Sequence, residues 1–173
     1  MRSLTLRCAI AVLFIWAGTG TWAQASERDA KVVSDFLESW HTHDVDKIMS
    51  FVSEDCHYEN APSLTGDNPV IKGRANMRTF LAPFFRNDPL IAPFEFHTEV
   101  THVVVGDGAV ASERVDHFKI GHSRFALPVA GFFKVKNGKI VYWKDYFDGP
   151  TIEPITTLMT ALAKKDKKDK KNK

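Results

Sequence analysis

From residue 94 to residue 147 the chain reads FEFHTEVTHVVVGDGAVASERVDHFKIGHSRFALPVAGFFKVKNGKIVYWKDYF, and this stretch decides the fold. Apolar and polar residues alternate through most of it, the two-residue period of strands with one buried face. Turn signals divide it at Gly106-Asp107-Gly108 and at Asn137-Gly138. Asn-Gly between alternating runs is a strong hairpin signal, because both residues accept the left-handed backbone that a two-residue turn requires. The stretch is therefore expected to form a succession of antiparallel strands.

Upstream the period changes. Val32, Val33, Phe36, Leu37 and Trp40 recur at helical spacing and predict an amphipathic helix over 28–40. A second, short helix is expected after Asp44 as N-cap, carrying Val45, Ile48, Met49 and Val52. Residues 56–60 alternate and stop before Pro62, which suits a short strand closed by a turn. Beyond a polar loop over 63–69, a third helix is predicted over 75–85, burying Met77, Phe80, Leu81 and Phe84, with Pro83 ending it early. Helices first and strands afterwards give an α+β class, a curved, mixed but mainly antiparallel sheet wrapped over N-terminal helices. The concave side of such a sheet can enclose a small molecule.

The two ends have different compositions from this body. Arg2 and Arg7, the apolar run from Cys8 to Ala17 and the small-residue site Ala23-Gln24-Ala25 predict a signal peptide over 1–25 and hence export, to the periplasm or outside the cell. The run is too short for a stable membrane anchor, which needs roughly 20 residues. Residues 164–173, KKDKKDKKNK, hold nothing apolar to bury and predict a disordered Lys-rich tail. One domain then occupies 26–163, where acidic residues outnumber basic ones, so no nucleic-acid partner is expected. Without Cys8 the chain keeps one cysteine, Cys56, and cannot form an internal disulfide.

Side chains two apart on a strand share a face. Val110, Ser112, Arg114, Asp116 and Phe118 form one such set, Val141, Trp143, Asp145 and Phe147 a second, and Cys56, Tyr58 and Asn60 a third. Each mixes polar groups with large apolar ones. Buried charge costs several kcal/mol per ion, so a sheet that turns these groups inward does so for a site. The alternative is an Arg114–Asp116 ion pair on the solvent face, with Asp145 at a strand end. Spacing alone leaves both open.

The strings Tyr58-Glu59-Asn60-Ala61-Pro62, Glu113-Arg114-Val115-Asp116, Leu127-Pro128-Val129-Ala130-Gly131-Phe132-Phe133 and, from 138 to 148, GKIVYWKDYFD resemble the limonene-1,2-epoxide hydrolase family, in order and at similar separations. The likeness runs over about 31–147. It implies the cone-shaped fold shared with nuclear transport factor 2 and ketosteroid isomerase, a homodimer, and an Asp-Arg-Asp triad of Asp116, Arg114 and Asp145. Tyr58 and Asn60 would hold water, and Phe118, Trp143 and Phe147 would wall the substrate pocket.

These residue types suit epoxide opening, which needs a nucleophile at carbon and a proton for the leaving oxygen. Ionised Asp145 would take a proton from a water held by Tyr58 and Asn60, and protonated Asp116 would give one to the epoxide oxygen. Arg114 would bridge the two carboxylates, which would share a proton and titrate together. The product is a vicinal diol of a small apolar, alicyclic or terpenoid-like epoxide, formed without metal or organic cofactor. The seven histidines lack ligand spacing, with His41 and His43 expected at the surface, Cys56 reads as core, and Asp148 as a strand-end or turn residue. Two other readings remain at this point: a ketosteroid isomerase-like or polyketide cyclase-like enzyme with one Asp as base, and a non-catalytic carrier of a hydrophobic ligand.

Overall fold

The computed structural model describes residues 25–63, 70–85, 94–158 and 160, with nothing assigned to the side chains at 83 and 84. The expected signal peptide and Lys-rich tail, most of the loop over 63–69 and the burial of Phe84 lie outside the described residues.

Helix α1 spans Glu27–Ser39. It starts at a capping box, in which the Ser26 hydroxyl accepts from the Asp29 N–H and the Asp29 carboxylate accepts from the Ser26 N–H. Val33, Phe36 and Leu37 form its buried face. Trp40 opens a turn of 3-10 helix instead of closing α1. Helix α2, Val45–Met49, is capped by Asp44, whose carboxylate accepts from the N–H groups of Asp46 and Lys47. Val52, expected on this helix, instead begins strand β1, Val52–Ala61. The sheet draws it in, since Ile140 donates its N–H to the Phe51 carbonyl at 2.9 Å and pairs with Val52 itself.

A three-residue strand β2, Val70–Lys72, pairs with β1 and was not foreseen. Helix α3 spans Arg74–Phe85, so position 83 does not end it. A proline this close to a helix C-terminus forgoes one donor and leaves little helix beyond it to disrupt. Strands β3, Phe94–Gly106, β4, Ala109–Ile120, β5, Ser123–Lys136, and β6, Lys139–Phe147, follow as hairpins. Both expected turns adopt the left-handed backbone, with φ of 48° and 72° at Asp107 and Gly108 and 52° and 72° at Asn137 and Gly138.

The sheet is six-stranded, in the order β2-β1-β6-β5-β4-β3. Only the β1–β6 pair is parallel, which makes the sheet mixed but mainly antiparallel. Register shifts interrupt three of the strand pairs, β1 with β6, β3 with β4 and β5 with β6, and the last of them bears on the site. Between β5 and β6 the register slips, Val135 facing Ile140 and Lys134 facing Tyr142, so Val141 is passed over. Ile140 is therefore fully buried where Val141 was expected inward, and the bulge restores the expected phase at Trp143 and Asp145. A last helix, α4, covers 149–158 and had no counterpart in the sequence reading. Asp148 caps it, accepting from the Thr151 N–H at 2.9 Å and the Thr151 hydroxyl at 2.6 Å.

Two apolar clusters hold these layers together. The larger packs α1, α2 and α3 on the sheet through residues such as Phe36, Met77, Phe133 and Trp143. The smaller joins Ile152 and Ile155 of α4 to Ile120, Leu127 and Val129. Among the described residues no helix is long and apolar enough to cross a membrane.

Candidate active site

Between the sheet's concave face and the helices lies a cavity of about 400 Å³. Its walls are mostly aromatic and aliphatic, and its polar floor is Arg114, Asp116, Asp145 and Tyr58. Alternation along β4 turns Arg114 and Asp116 inward, and both are nearly inaccessible, 3% and 6% exposed. Asp145 reaches the same floor from β6 and is 1% exposed. The solvent-face ion pair is thus replaced by a buried triad.

Arg114 binds the two carboxylates unequally. Its Nη1 and Nη2 donate to Oδ1 and Oδ2 of Asp145 at 3.0 and 2.9 Å, the parallel fork of a bidentate pair. Its Nε donates to Oδ1 of Asp116 at 3.1 Å. Asp145 accepts a third bond, from Trp143 Nε1 at 2.8 Å. Three N–H donors therefore converge on Asp145 and one on Asp116, whose Oδ2 makes no hydrogen bond among the described residues.

Burial raises Asp145 above the ordinary carboxylate value, and the Arg114 charge and hydrogen bonds pull against that rise without cancelling it. Burial alone would lower Arg114, but the charges of Asp116 and Asp145 override it and hold the guanidinium more firmly protonated than usual. The Tyr58 phenol is driven well above its ordinary range by burial first and the Asp145 charge second, and it stays a neutral O–H.

Tyr58 lines the cavity, and its ring lies 4.2 Å, centroid to centroid, from that of Trp143. Asn60, 1% exposed, follows Tyr58 on the same face of β1 and faces Asp145 in the β1–β6 register. It is not among the cavity-lining residues, whereas Phe118, Trp143 and Phe147 are.

Helical spacing and strand alternation did not assign Trp40, Phe96, Ile152, Ile155 or Thr156 to the cavity wall, yet all five line it. For the three on α4 a signal existed: Asp148 as a cap, Pro150 in the first turn, and Ile152 and Ile155 three apart. His41 and His43 are exposed, as expected, and each also ties its loop to β3, with Nε2 2.9 Å from the backbone carbonyls of Thr98 and Phe96. Cys56 is fully buried with its thiol pushed up to about 12 by desolvation, which keeps it an inert core group. Among the described residues no three His, Cys, Asp or Glu side chains converge as metal ligands.

Residues 27–160 match the model of the limonene-1,2-epoxide hydrolase catalytic domain. The chain belongs to this family. Epoxide hydrolase EphG of Mycobacterium tuberculosis (strain ATCC 25618 / H37Rv) is 31% identical over 116 residues, 67% of this chain and 70% of its own. A solved M. tuberculosis epoxide hydrolase of the limonene-1,2-epoxide hydrolase type superposes with a TM-score of 0.61 at 25% identity, over 80% of this chain and 96% of that one. A protein of ketosteroid isomerase-like fold from Catenulispora acidiphila DSM 44928 shares the architecture at 18% identity, with a TM-score of 0.57 over 70% of this chain and 88% of its own. The limonene-1,2-epoxide hydrolase family relationship supports epoxide hydrolysis, and the likeness to the ketosteroid isomerase-like structure is one of fold.

Proposed function

We propose that the protein adds water to a small apolar epoxide, alicyclic or terpenoid-like, in one step and without a cofactor, giving a vicinal diol. The observation that carries this reading is the unequal sharing of Arg114. Three donors oppose the rise that burial imposes on Asp145 and give its charged form hydrogen-bond partners, which suits it to be the general base. Asp116, with one donor and an oxygen to spare, carries the proton and faces the cavity as the general acid.

In this mechanism a water held by Asp145 and Tyr58, with Asn60 beside them on β1, attacks an epoxide carbon. Its proton passes to Asp145 as the carbon–oxygen bond breaks, and the departing oxygen takes the proton of Asp116. The step leaves the diol, neutral Asp145 and ionised Asp116, and one proton returned from Asp145 to Asp116 restores the start. Arg114 contacts both carboxylates, so the single negative charge can pass from one to the other beside a fixed counter-ion. The apolar wall supports an apolar substrate and excludes bulk water from the floor. An isomerase using one Asp as base leaves the forked arginine without a task.

Export to the periplasm or beyond, from the signal-like 1–25, belongs to the same proposal, as does a homodimer. Phe132 and Tyr146, 43% and 45% exposed on the outer face of the sheet, support a dimer that would cover them, which sedimentation of the purified protein reads. The decisive test is turnover of a panel of alicyclic and aliphatic epoxides by the purified protein, with chelator present throughout. Diol formation from apolar members is expected. No diol from any member, or turnover that needs added metal, would overturn the proposal.

A further inference from the structure

Arg114 stands on β4 and Asp145 on β6, with β5 between them. Adjacent strands lie about 4.8 Å apart, so the guanidinium must cross the inner face of β5 to make its fork with Asp145. The inward residues of β5 along this stretch are Leu127, Val129, Gly131 and Phe133. Gly131 pairs with Asp145 on one side and with Ser112 on the other, and it lies where the crossing occurs. A Cβ at this position would stand 2.7 Å from Arg114 Nη1, 2.8 Å from Ser112 Oγ and 2.8 Å from Phe133 Cε2, all inside contact distance.

The backbone does not require glycine here. Gly131 is absent from the positive-φ glycines, which are Gly73, Gly108, Gly121 and Gly138, and its neighbours keep regular strand pairing. A glycine inside a strand gives up packing and conformational entropy, and close approach by another group is what justifies it. The approaching group is the guanidinium itself. Ser112, also small and buried, completes the saddle from the β4 side.

We infer that Gly131 is a positioning residue: its missing side chain is the channel through which Arg114 spans β5 and couples Asp116 to Asp145. A methyl group at this place has to displace Nη1, the atom bound to Asp145 Oδ1. The displaced arginine keeps Asp116, through Nε, and loses the fork. The geometric part stands on contacts alone, and its effect on rate rests on the reading of the site as an epoxide hydrolase.

Gly131→Ala therefore moves kcat and leaves KM nearly unchanged, because the cavity wall is not altered. Misplacement of this size costs on the order of 100-fold in kcat. The groups facing Asp145 are Arg114 and Asp116 from β4, Tyr58 from β1 and Trp143 from its own strand. Of these Arg114 holds the carboxyl down most, so weakening its fork shifts the acid limb of the pH–rate profile to higher pH. A merely structural defect would lower the active fraction without moving that limb.

Thermal melts of four proteins, wild type, Gly131→Ala, Arg114→Lys and the double variant, test the contact without any substrate. Alanine is expected to lower the melting temperature by roughly 5 °C or more in the wild-type background. In the Arg114→Lys background, where no planar Nη1 fills the saddle, it lowers it by much less. Gly131→Ala that unfolds alone but folds in the double variant supports the inference equally. Equal loss in both backgrounds, or a folded Gly131→Ala with normal kcat and an unmoved acid limb, would overturn it. Strong coupling in the melts with no epoxide turnover by the wild type would instead remove the reaction assignment and keep the role of Gly131.

Discussion

On the proposed mechanism Asp145 is expected to give stability and activity opposite dependences on pH, and Asp145→Asn to remove both. The carboxylate is 1% exposed and accepts bonds of 3.0, 2.9 and 2.8 Å from Arg114 and Trp143. Its folded value is raised above the ordinary 3.8, with burial the largest cause. A raised acid favours the folded state while protonated, so its contribution is fully present below about pH 4 and is lost as pH climbs through the raised value. Each unit of that rise is worth about 1.4 kcal/mol. The base must be ionised to accept a proton, so kcat climbs through the same window in which stability falls. Asp145→Asn keeps the shape but turns an amide N–H toward the donors of Arg114. The lost charge-assisted bond, about 1.5–3 kcal/mol, is partly offset by the relief of burying a charge, leaving a net loss of about 1–2 kcal/mol near neutral pH. Without the base kcat falls on the order of 100-fold or more, about 2.7 kcal/mol in barrier. Urea unfolding of both proteins followed by tryptophan fluorescence from about pH 4 to pH 8, beside kcat of the wild type, reads all of this. The stability gap between wild type and variant narrows as pH rises. A gap that widens over that range, or a wild-type rate that falls through it, would refute the reasoning.

Asp116→Asn removes the acid but leaves Asp145 and its three donors in place, so kcat drops on the order of 100-fold or more with KM within about threefold, as steady-state kinetics will show. Arg114→Lys retains the charge and loses the fork. It costs about 1–3 kcal/mol in urea unfolding and at least about 10-fold in kcat, since a point charge does not bridge two carboxylates as a planar group does. Asp148→Ala removes both capping bonds to Thr151, destabilises α4 by about 1 kcal/mol and raises KM several-fold through Ile152 and Ile155, with kcat nearly intact.

Alternation along β4 put Arg114 and Asp116 on one face with Val110 and Ser112, but spacing alone left open whether that face meets the core or solvent, and the resemblance chose the triad; the structure buries the face. Asp145 was placed correctly by alternation counted through a bulge: the phase is wrong at Val141 and right again at Trp143, and no local residue preference marks the slip. Short helix α2 shows the same limit. Val52 continues its apolar pattern and yet pairs with Ile140, more than eighty positions away, and such a partner is invisible to a local window. Asp148, Pro150, Ile152 and Ile155 carry a helix signal for α4, but Pro154 inside the same short stretch argues against a helix and obscures it. The unequal bonding of Arg114 could not be read from sequence at all, because it depends on the crossing of β5 over Gly131, a three-strand geometry.

Direct attack by water on the epoxide is the central claim, and a single turnover in oxygen-18 water with enzyme in excess tests it most directly. Direct attack places the label in the first diol released and leaves Asp145 and Asp116 unlabelled on peptide mass analysis. A covalent route would begin with a carboxylate forming an ester to the epoxide carbon, and water would then cleave that ester at its carbonyl. The first diol would carry an unlabelled carboxylate oxygen, and oxygen-18 would remain in the protein. Label found on Asp145 or Asp116 with an unlabelled first diol would contradict the account.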